Sequence, residues 1–203
     1  MLSIWLGVTP SRAAASRSAI GSKRSLLRPG SLVTLGLGSS RLVRFTTRAL
    51  NGTASFDGVG SVWELTHRLC VALVDEVGGV GCIVSRVIGD VLVQVAEHAP
   101  GGRTFQLGRG FLVSQFPTTA EVLESGLPRA VSAGDEDADA AEVAVLTDLS
   151  TDAVLMLALD GPRGAWGLVE LYRDAETFDA GEAERAQQIV ERASGTLARL
   201  VAR

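Results

Sequence analysis

The most constraining feature of the sequence is a pair of apolar runs near its C-terminus, followed by a long amphipathic stretch. The runs cover Ala153–Leu159 and Ala165–Tyr172, and the turn-forming sequence Asp160-Gly-Pro-Arg-Gly164 joins them. Apolar runs of this length, bounded by glycine and proline, are typical of neighbouring antiparallel strands. The last third of the chain therefore predicts a β-hairpin followed by a helix.

This last helix has a recognisable start. Asp179-Ala-Gly-Glu182 has the spacing of a capping box, in which the first and fourth side chains each accept a hydrogen bond from the other residue's backbone. One face of the helix is then apolar and consists of Ala186, Ile189, Val190, Ala193, Leu197, Leu200 and Val201. Several of these positions alternate by four and three residues, which is the spacing of a coiled-coil seam.

An earlier helix is predicted from an N-cap at Ser61 to about Val77, and it is apolar on two sides. One stripe consists of Val62, Leu65, Leu69, Ala72 and Leu73, and the opposite stripe of Trp63, His67, Cys70 and Val74. Because both sides need cover, we expect one to lie on a sheet and the other to contact a partner helix or a second protomer. The predicted dimer interface consists of Trp63, His67, Cys70 and Val74 together with Leu197 and Leu200.

Short strands and helices are predicted between these two helices. Gly81–Ile88 and Val91–His98 flank Gly89-Asp90 in a hairpin pattern. Shorter elements follow in the order extended segment, helix, strand and helix, at residues 111–113, 118–125, 128–131 and 139–149. Mixed elements of this kind predict an α+β domain.

The first 58 residues differ in composition from the remainder. Residues 1–56 contain eight Lys or Arg and no Asp or Glu, whereas residues 57–203 contain all 23 acidic residues against eleven Arg and no Lys. We interpret residues 1–58 as a disordered or non-native extension, which leaves open a start placed too early, a disordered basic arm or a targeting peptide. Residues 59–203 are the predicted domain.

The acidic domain also limits the partners. Its negative net charge disfavours contact with nucleic acid or with an anionic membrane. No apolar run reaches the roughly eighteen residues that span a bilayer. Cys70 and Cys82, the only cysteines, lie in apolar surroundings and are expected to be thiols in a reducing compartment. We therefore expect a cytoplasmic protein.

Two groups of side chains have part of the pattern of a metal site. Asp135, Asp137 and Asp139 begin like a calcium loop, but its sixth and twelfth positions are Ala140 and Leu146 in place of Gly and Glu. The better interpretation is a solvated acidic loop that leads into a helix.

A zinc site would need His67, Cys70, Cys82 and His98 to converge from a helix and two strands. Haem bound by His98 has equally little support from the sequence. No metal and no cofactor are expected.

Residues 60–203 resemble a GAF domain. The resemblance is carried by Leu107-Gly-Arg-Gly110, by the segments 117–128 and 153–159, by Trp166-Gly-Leu-Val-Glu-Leu-Tyr-Arg173, and by Phe178-Asp-Ala-Gly-Glu182 at the start of the last helix. It implies a GAF-like (profilin-like) antiparallel sheet of five or six strands, with the first and last helices on one face. Short helices and loops would cover a small-molecule pocket on the other face, and dimerisation through the terminal helices would be frequent.

The motifs of the known GAF subclasses are missing from this chain. The Asn-Lys…Phe…Asp-Glu signature of cyclic-nucleotide sites is disfavoured, because the only Asn and the only Lys, Asn51 and Lys23, both lie outside the predicted domain. Bilin-binding members attach the chromophore to a Cys near a His, and neither Cys70 nor Cys82 is beside a His. The cysteine set of the free-methionine-sulfoxide reductases is also missing. A nucleophile with a neighbouring base is not visible, so we expect no enzymatic activity.

Five residues are candidates for the wall of a ligand pocket. Alternation along the last strand places Trp166 and Glu170 on one face, and Glu170 is an ionisable group on a central strand. The other candidates are Phe111, Arg129 and Met156.

The sequence therefore predicts a non-enzymatic sensory module that binds an unidentified small molecule. No output domain follows the last helix, so the module is expected to act as a homodimer on an output protein in trans. The alternative is a ligand-free dimerisation or scaffold domain, and a haem or metal sensor is the third hypothesis.

Overall fold

The computed structural model describes residues 54–105, 110–175 and 177–202. They form a six-stranded antiparallel sheet with helices on both faces. The strands are β1 (Gly81–Ile88), β2 (Val91–His98), β3 (Gly110–Leu112), β4 (Arg129–Ser132), β5 (Ala153–Gly161) and β6 (Gly164–Arg173). The helices are α1 (Val62–Leu73), α2 (Pro117–Ser125), α3 (Ala140–Leu149) and α4 (Ala180–Val201).

The order of the strands across the sheet is β3-β2-β1-β6-β5-β4. Two hairpins, β1–β2 and β5–β6, account for the four central strands, and the pairing of β1 with β6 joins them. This confirms the predicted α+β architecture with a central antiparallel sheet. Strands β5 and β6 are each longer than predicted, because β5 continues to Gly161 and β6 to Arg173.

Two bulges interrupt the regular alternation of the strands. The register shifts between Val84 and Ser85 opposite β2, and again between Leu159 and Asp160 opposite β6. A bulge adds one residue to a strand, so the side chains beyond it point to the other face. Trp166 lies at the second bulge and has no pairing partner on β5.

The first and last helices cover one face of the sheet, as predicted. Leu65, Leu69 and Leu73 of α1 and Ile189 and Leu197 of α4 are buried there in one apolar cluster. After α1 the chain continues as a π-helical turn, Val74–Gly78, where the sequence predicted a regular helix. Phe56 is also buried in this cluster, although it precedes the predicted domain boundary at residue 58.

The shorter helices α2 and α3 cover the opposite face. Val122 and Leu146 pack there against Val154 and Leu168 of the sheet. Helix α2 begins with Pro117 and is followed by Gly126, whose φ of 70° is in the left-handed region that often ends a helix. None of the helices in the described residues is long and apolar enough to cross a membrane.

The predicted capping box at the start of α4 is present. The side chain of Asp179 accepts a hydrogen bond from the backbone N–H of Glu182 at 2.7 Å, and the Glu182 carboxylate accepts one from the backbone N–H of Asp179 at 2.9 Å. The guanidinium of Arg173 also donates to Glu182, at 2.8 and 3.0 Å, so the end of β6 is tied to the first turn of α4.

Replacing Asp179 by alanine is expected to lower the free energy of unfolding by about 1 kcal/mol, because the first turn of α4 loses its side-chain acceptor. Urea unfolding followed by circular dichroism measures this change. Glu184→Ala is the matched control, since Glu184 is an exposed acidic residue of the same helix. It should change stability by less than about 0.5 kcal/mol. Equal effects of the two substitutions would contradict a specific role for the box.

Candidate ligand-binding site

A cavity lies between the sheet and helices α2 and α3. Four aromatic side chains line it: Phe105, Phe111, Phe116 and Tyr172. Its polar lining consists of Ser85, Gln94, Thr119, Glu142, Asp148 and Glu170. The cavity volume is about 50 Å³, which is room for a few water molecules or a small polar group. This mixture of an apolar wall and a few polar groups is typical of small-molecule sites, although most such sites are larger.

Glu170 lies on β6, at the centre of the sheet, and is partly exposed to the cavity. The hydroxyl of Tyr172, two residues along the same strand, donates a hydrogen bond to its Oε1 at 2.8 Å. Burial raises the pKa of Glu170 from its ordinary value of 4.5 to about 7. The hydrogen bond from Tyr172 lowers this pKa, and the negative charge of Glu142 raises it further. The pKa of Tyr172 is raised as well, by its burial and by the charge of Glu170.

Glu142 supplies a second buried carboxyl group from α3. It is only 4% exposed, and the hydroxyl of Thr119 on α2 donates a hydrogen bond to its Oε1 at 2.6 Å. Burial raises the pKa of Glu142, and the charge of Asp139 acts in the same direction. Glu142 is not among the residues that the sequence predicted for the pocket. The helical spacing indicates that Glu142 faces inward, because it precedes the inward-facing Leu146 by four residues and so lies about one helical turn away on the same face.

Two polar side chains of β1 and β2 complete the cavity. Ser85 and Gln94 are paired across the two strands, and they are 2% and 8% exposed. The amide Oε1 of Gln94 is buried without a hydrogen-bond partner among the described residues. A buried acceptor of this kind costs free energy until a donor reaches it.

The charge of the cavity is uniformly negative within the described ranges. Glu142, Asp148 and Glu170 line it, and no Lys, Arg or His side chain does. The nearby Arg103 donates to Asp174 and to the carbonyl oxygens of Leu149 and Ser150 instead. Glu142 and Glu170 therefore accept hydrogen bonds from hydroxyl groups and not from cations.

The structure separates the five residues that the sequence proposed for the pocket. Phe111 and Glu170 line the cavity. Met156 is fully buried beneath it, paired with Glu170 across β5 and β6, and its Sδ lies 3.5 Å from the Thr119 hydroxyl.

The other two candidates lie elsewhere. Arg129 is on the surface, where it forms an ion pair with Glu121 of α2. Trp166 packs against the cluster under α1 and α4, with the Arg86 guanidinium 4.4 Å from its ring centroid. The bulge opposite Asp160 explains this difference, because it breaks the alternation that placed Trp166 on the same face as Glu170.

The residues of the predicted dimer interface lie in two different environments, the surface and the chain's own core. Trp63 is 69% exposed and stacks on the exposed His67 with ring centroids 5.8 Å apart. Cys70 and Val74 are buried in the chain's own core, together with Leu197 of α4. Leu200 is partly buried against that core. The second side of α1 is therefore covered largely by α4 of the same chain, and the dimer stays a prediction.

The cysteines and histidines lie on the side of the sheet away from the cavity. Cys70 and Cys82 are free thiols buried with α1 and α4, and burial is the main reason that the pKa of Cys82 is raised. The rings of His67 and His98 meet edge to face at 6.1 Å. Within residues 54–105, 110–175 and 177–202, no group of three or more His, Cys, Asp or Glu side chains is arranged to hold a metal ion.

Comparison with known proteins gives matches of structure only. No family model matches the sequence, and no curated protein does. The phycoerythrobilin-bound GAF domain of a cyanobacterial phytochrome superposes with a TM-score of 0.60 at 18% identity, over 68% of this chain and 86% of that one. The blue-light-absorbing form of the Thermosynechococcus elongatus PixJ GAF domain gives a TM-score of 0.60 at 16% identity, over 69% of this chain and 86% of that domain.

Longer proteins with the same architecture also match. The chromophore-binding domain of the R. palustris bacteriophytochrome RpBphP3 gives a TM-score of 0.61 at 10% identity, over 70% of this chain. This chain covers 57% of that domain and 34% of the Stigmatella aurantiaca photosensory core module. The strand order, the two terminal helices on one face and these superpositions agree. The described part of the chain has the fold of a GAF domain.

Proposed function

We propose that this protein is a sensory module that binds a small molecule in the cavity between the sheet and helices α2 and α3. The observation that carries the proposal is a pair of carboxyl groups beside aromatic side chains, Glu142, which is buried, and Glu170, which is partly exposed to the cavity. Buried ionisable groups cost stability, and carboxyl groups with raised pKa values in a cavity mark it as a candidate functional site. The structural neighbours with bound phycoerythrobilin and phycocyanobilin support ligand binding as a use of this fold.

The proposed role is regulatory and not catalytic. Among the described residues, the cavity hydroxyl groups of Ser85 and Thr119 have no His or Lys beside them that would act as a base. A signal would instead pass through α1 and α4, which pack together on the other face of the sheet. Homodimerisation, an output protein in trans and a cytoplasmic location stay predictions of this proposal.

The volume and the lining of the cavity limit the ligands that it can hold. Its volume of about 50 Å³ is far below the several hundred Å³ of sites for drug-sized molecules, so a bilin would need the cavity to open. Neither Cys70 nor Cys82 lines it, so neither is placed to form a thioether bond to a chromophore there. A small ligand fits the proposal better than a tetrapyrrole.

A pair of substitutions at Ser85 tests ligand binding. Ser85→Leu adds bulk to the floor of the cavity and is expected to abolish ligand-induced thermal stabilisation, whereas Ser85→Ala leaves the space open and should preserve it. The full chain is first analysed by native mass spectrometry for a co-purifying small molecule, and then by thermal unfolding with a panel of metabolites. Circular dichroism of both variants shows whether each one folds.

The alternative is a ligand-free scaffold domain. It is supported if native mass spectrometry shows a clean apo dimer and no compound in the panel raises the unfolding temperature. If a ligand raises the unfolding temperature of Ser85→Leu as much as that of the unsubstituted protein, this would also contradict binding in this cavity. An absorbance spectrum of the purified protein tests the haem or metal sensor.

A further inference from the structure

We propose that the ligand of this cavity is a small organic ammonium ion, held by the carboxylates of Glu142 and Glu170. The inference rests on the proposed function, because it names the class of molecule that the same cavity binds. Its first support is charge: the three carboxyl groups that line the cavity face no cation among the described lining residues. Such a site attracts a cation and repels carboxylates and phosphates.

The second support is an acceptor that has no donor. Gln94 lines the cavity at 8% exposure, and its Oε1 is buried without a hydrogen-bond partner in the described part of the chain. A primary ammonium group has three donors and no acceptor. It would match Gln94 and the two carboxylates, whose own hydrogen bonds to hydroxyl groups do not neutralise their charge.

The third support is the aromatic wall. Phe105 stacks on Tyr172 with ring centroids 5.2 Å apart, and Phe111 meets Phe116 edge to face at 6.0 Å. All four rings line the cavity. Aromatic rings attract cations through their negative faces, and they also cover the alkyl part of an amine. An aromatic wall beside carboxylates is thus suited to an alkylammonium ion in a way that a purely polar site is not.

The position of Asp148 indicates how such a ligand would enter. Asp148 lines the cavity but is itself exposed, so it lies at the opening, whereas Glu142 is buried. A carboxylate at the opening raises the local concentration of cations and speeds their association. The small volume limits the buried part of the ligand to the ammonium group and a short apolar segment.

Binding is expected to depend on pH. The ionisable groups that interact with Glu170 are Tyr172 on its own strand, Cys82 on β1 and Glu142 on α3, and Asp148 of α3 lines the same cavity. None of them is a cation. With a pKa of about 7, Glu170 is ionised at pH 8 and mostly protonated at pH 6, so a proton competes with the ligand at the lower pH. The affinity should fall by up to about tenfold between pH 8 and pH 6.

The test compares three probes of equal size on the full chain: n-butylammonium, 1-butanol and butyrate. Isothermal titration calorimetry at pH 8 is expected to show binding of n-butylammonium at least about tenfold tighter than that of 1-butanol, and no binding of butyrate. Glu170→Gln should weaken the ammonium complex by about tenfold or more and remove most of its pH dependence. Glu184→Gln, an exposed substitution on α4, is the control and should leave binding unchanged.

The outcomes separate this inference from the proposed function. If 1-butanol or butyrate binds as tightly as n-butylammonium, and Ser85→Leu abolishes that binding, the cavity is a ligand site but the ammonium assignment is wrong. Failure of n-butylammonium to bind, or unchanged binding by Glu170→Gln, also overturns the assignment. If in addition no compound of the metabolite panel binds, the proposed function fails with it.

Discussion

Glu170→Gln is expected to be more stable than the unsubstituted protein at pH 8, by up to about 3 kcal/mol. The reason is the pKa of Glu170, which burial raises from 4.5 to about 7 in the folded protein. Above pH 7 the folded state must hold a buried negative charge, while the unfolded chain holds the same charge in water. A neutral glutamine removes this cost, and its amide oxygen can still accept the hydrogen bond from Tyr172.

The sign of the effect fixes its pH dependence. Because the pKa is higher in the folded state, the carboxyl group lowers stability progressively as the pH rises from about 4.5 to about 7. The advantage of Glu170→Gln should therefore be largest above pH 7 and should disappear near pH 4.5. Urea unfolding at a series of pH values measures it, with Glu184→Gln as the control that should show no such trend. A Glu170→Gln variant that is less stable at pH 8 would show that the carboxylate stabilises the fold.

The largest destabilisation is expected for Gly167→Ala. Gly167 lies on β6 opposite Arg86 of β1, and a Cβ atom at this position would be 2.4 Å from the backbone oxygen of Ser85. A backbone atom in a central strand cannot move aside as a flexible side chain does. We therefore expect a loss of about 3 kcal/mol from overpacking, together with weakened pairing of the two central strands.

Gly195→Ala provides the matched control. Gly195 is an exposed residue inside α4, and nothing lies within 4 Å of the Cβ that alanine would add. Alanine favours the helix, so this variant should gain about 0.5 to 1 kcal/mol. Urea unfolding of both variants compares the two changes directly. If Gly167→Ala is as stable as the unsubstituted protein, the close approach of β1 and β6 at Ser85 is not as described.

Much of the fold was predictable because its signals are local. The capping box at Asp179, the left-handed Gly126 after α2 and the hairpin turn at Gly89 each depend on a few neighbouring residues. The order of the elements and the GAF fold followed from these signals together with the resemblance, and the structure confirms both.

The candidate site was predicted less well because it depends on contacts between distant parts of the chain. A bulge in β6, set by its pairing with β5, turns Trp166 away from the cavity. Packing of α4 on α1 buries Cys70, which the helical period alone left available to a second protomer. Helical spacing alone indicates that Glu142 faces inward, but its hydrogen bond from Thr119 joins α3 to α2 across a sequence separation of 23 residues. None of these contacts is encoded in local spacing.

The pairing of β1 with β6 also has a consequence for the way the chain folds. Each hairpin closes a short loop, but Ser85 and Leu168 meet only after more than eighty intervening residues have been brought together. Closing so long a loop has a large entropic cost, and contacts of this kind slow folding. Since both residues line the cavity, the two halves of the wall come from separately formed hairpins. We expect the ligand pocket to be absent from partly folded chains and to form in the same late step that completes the sheet.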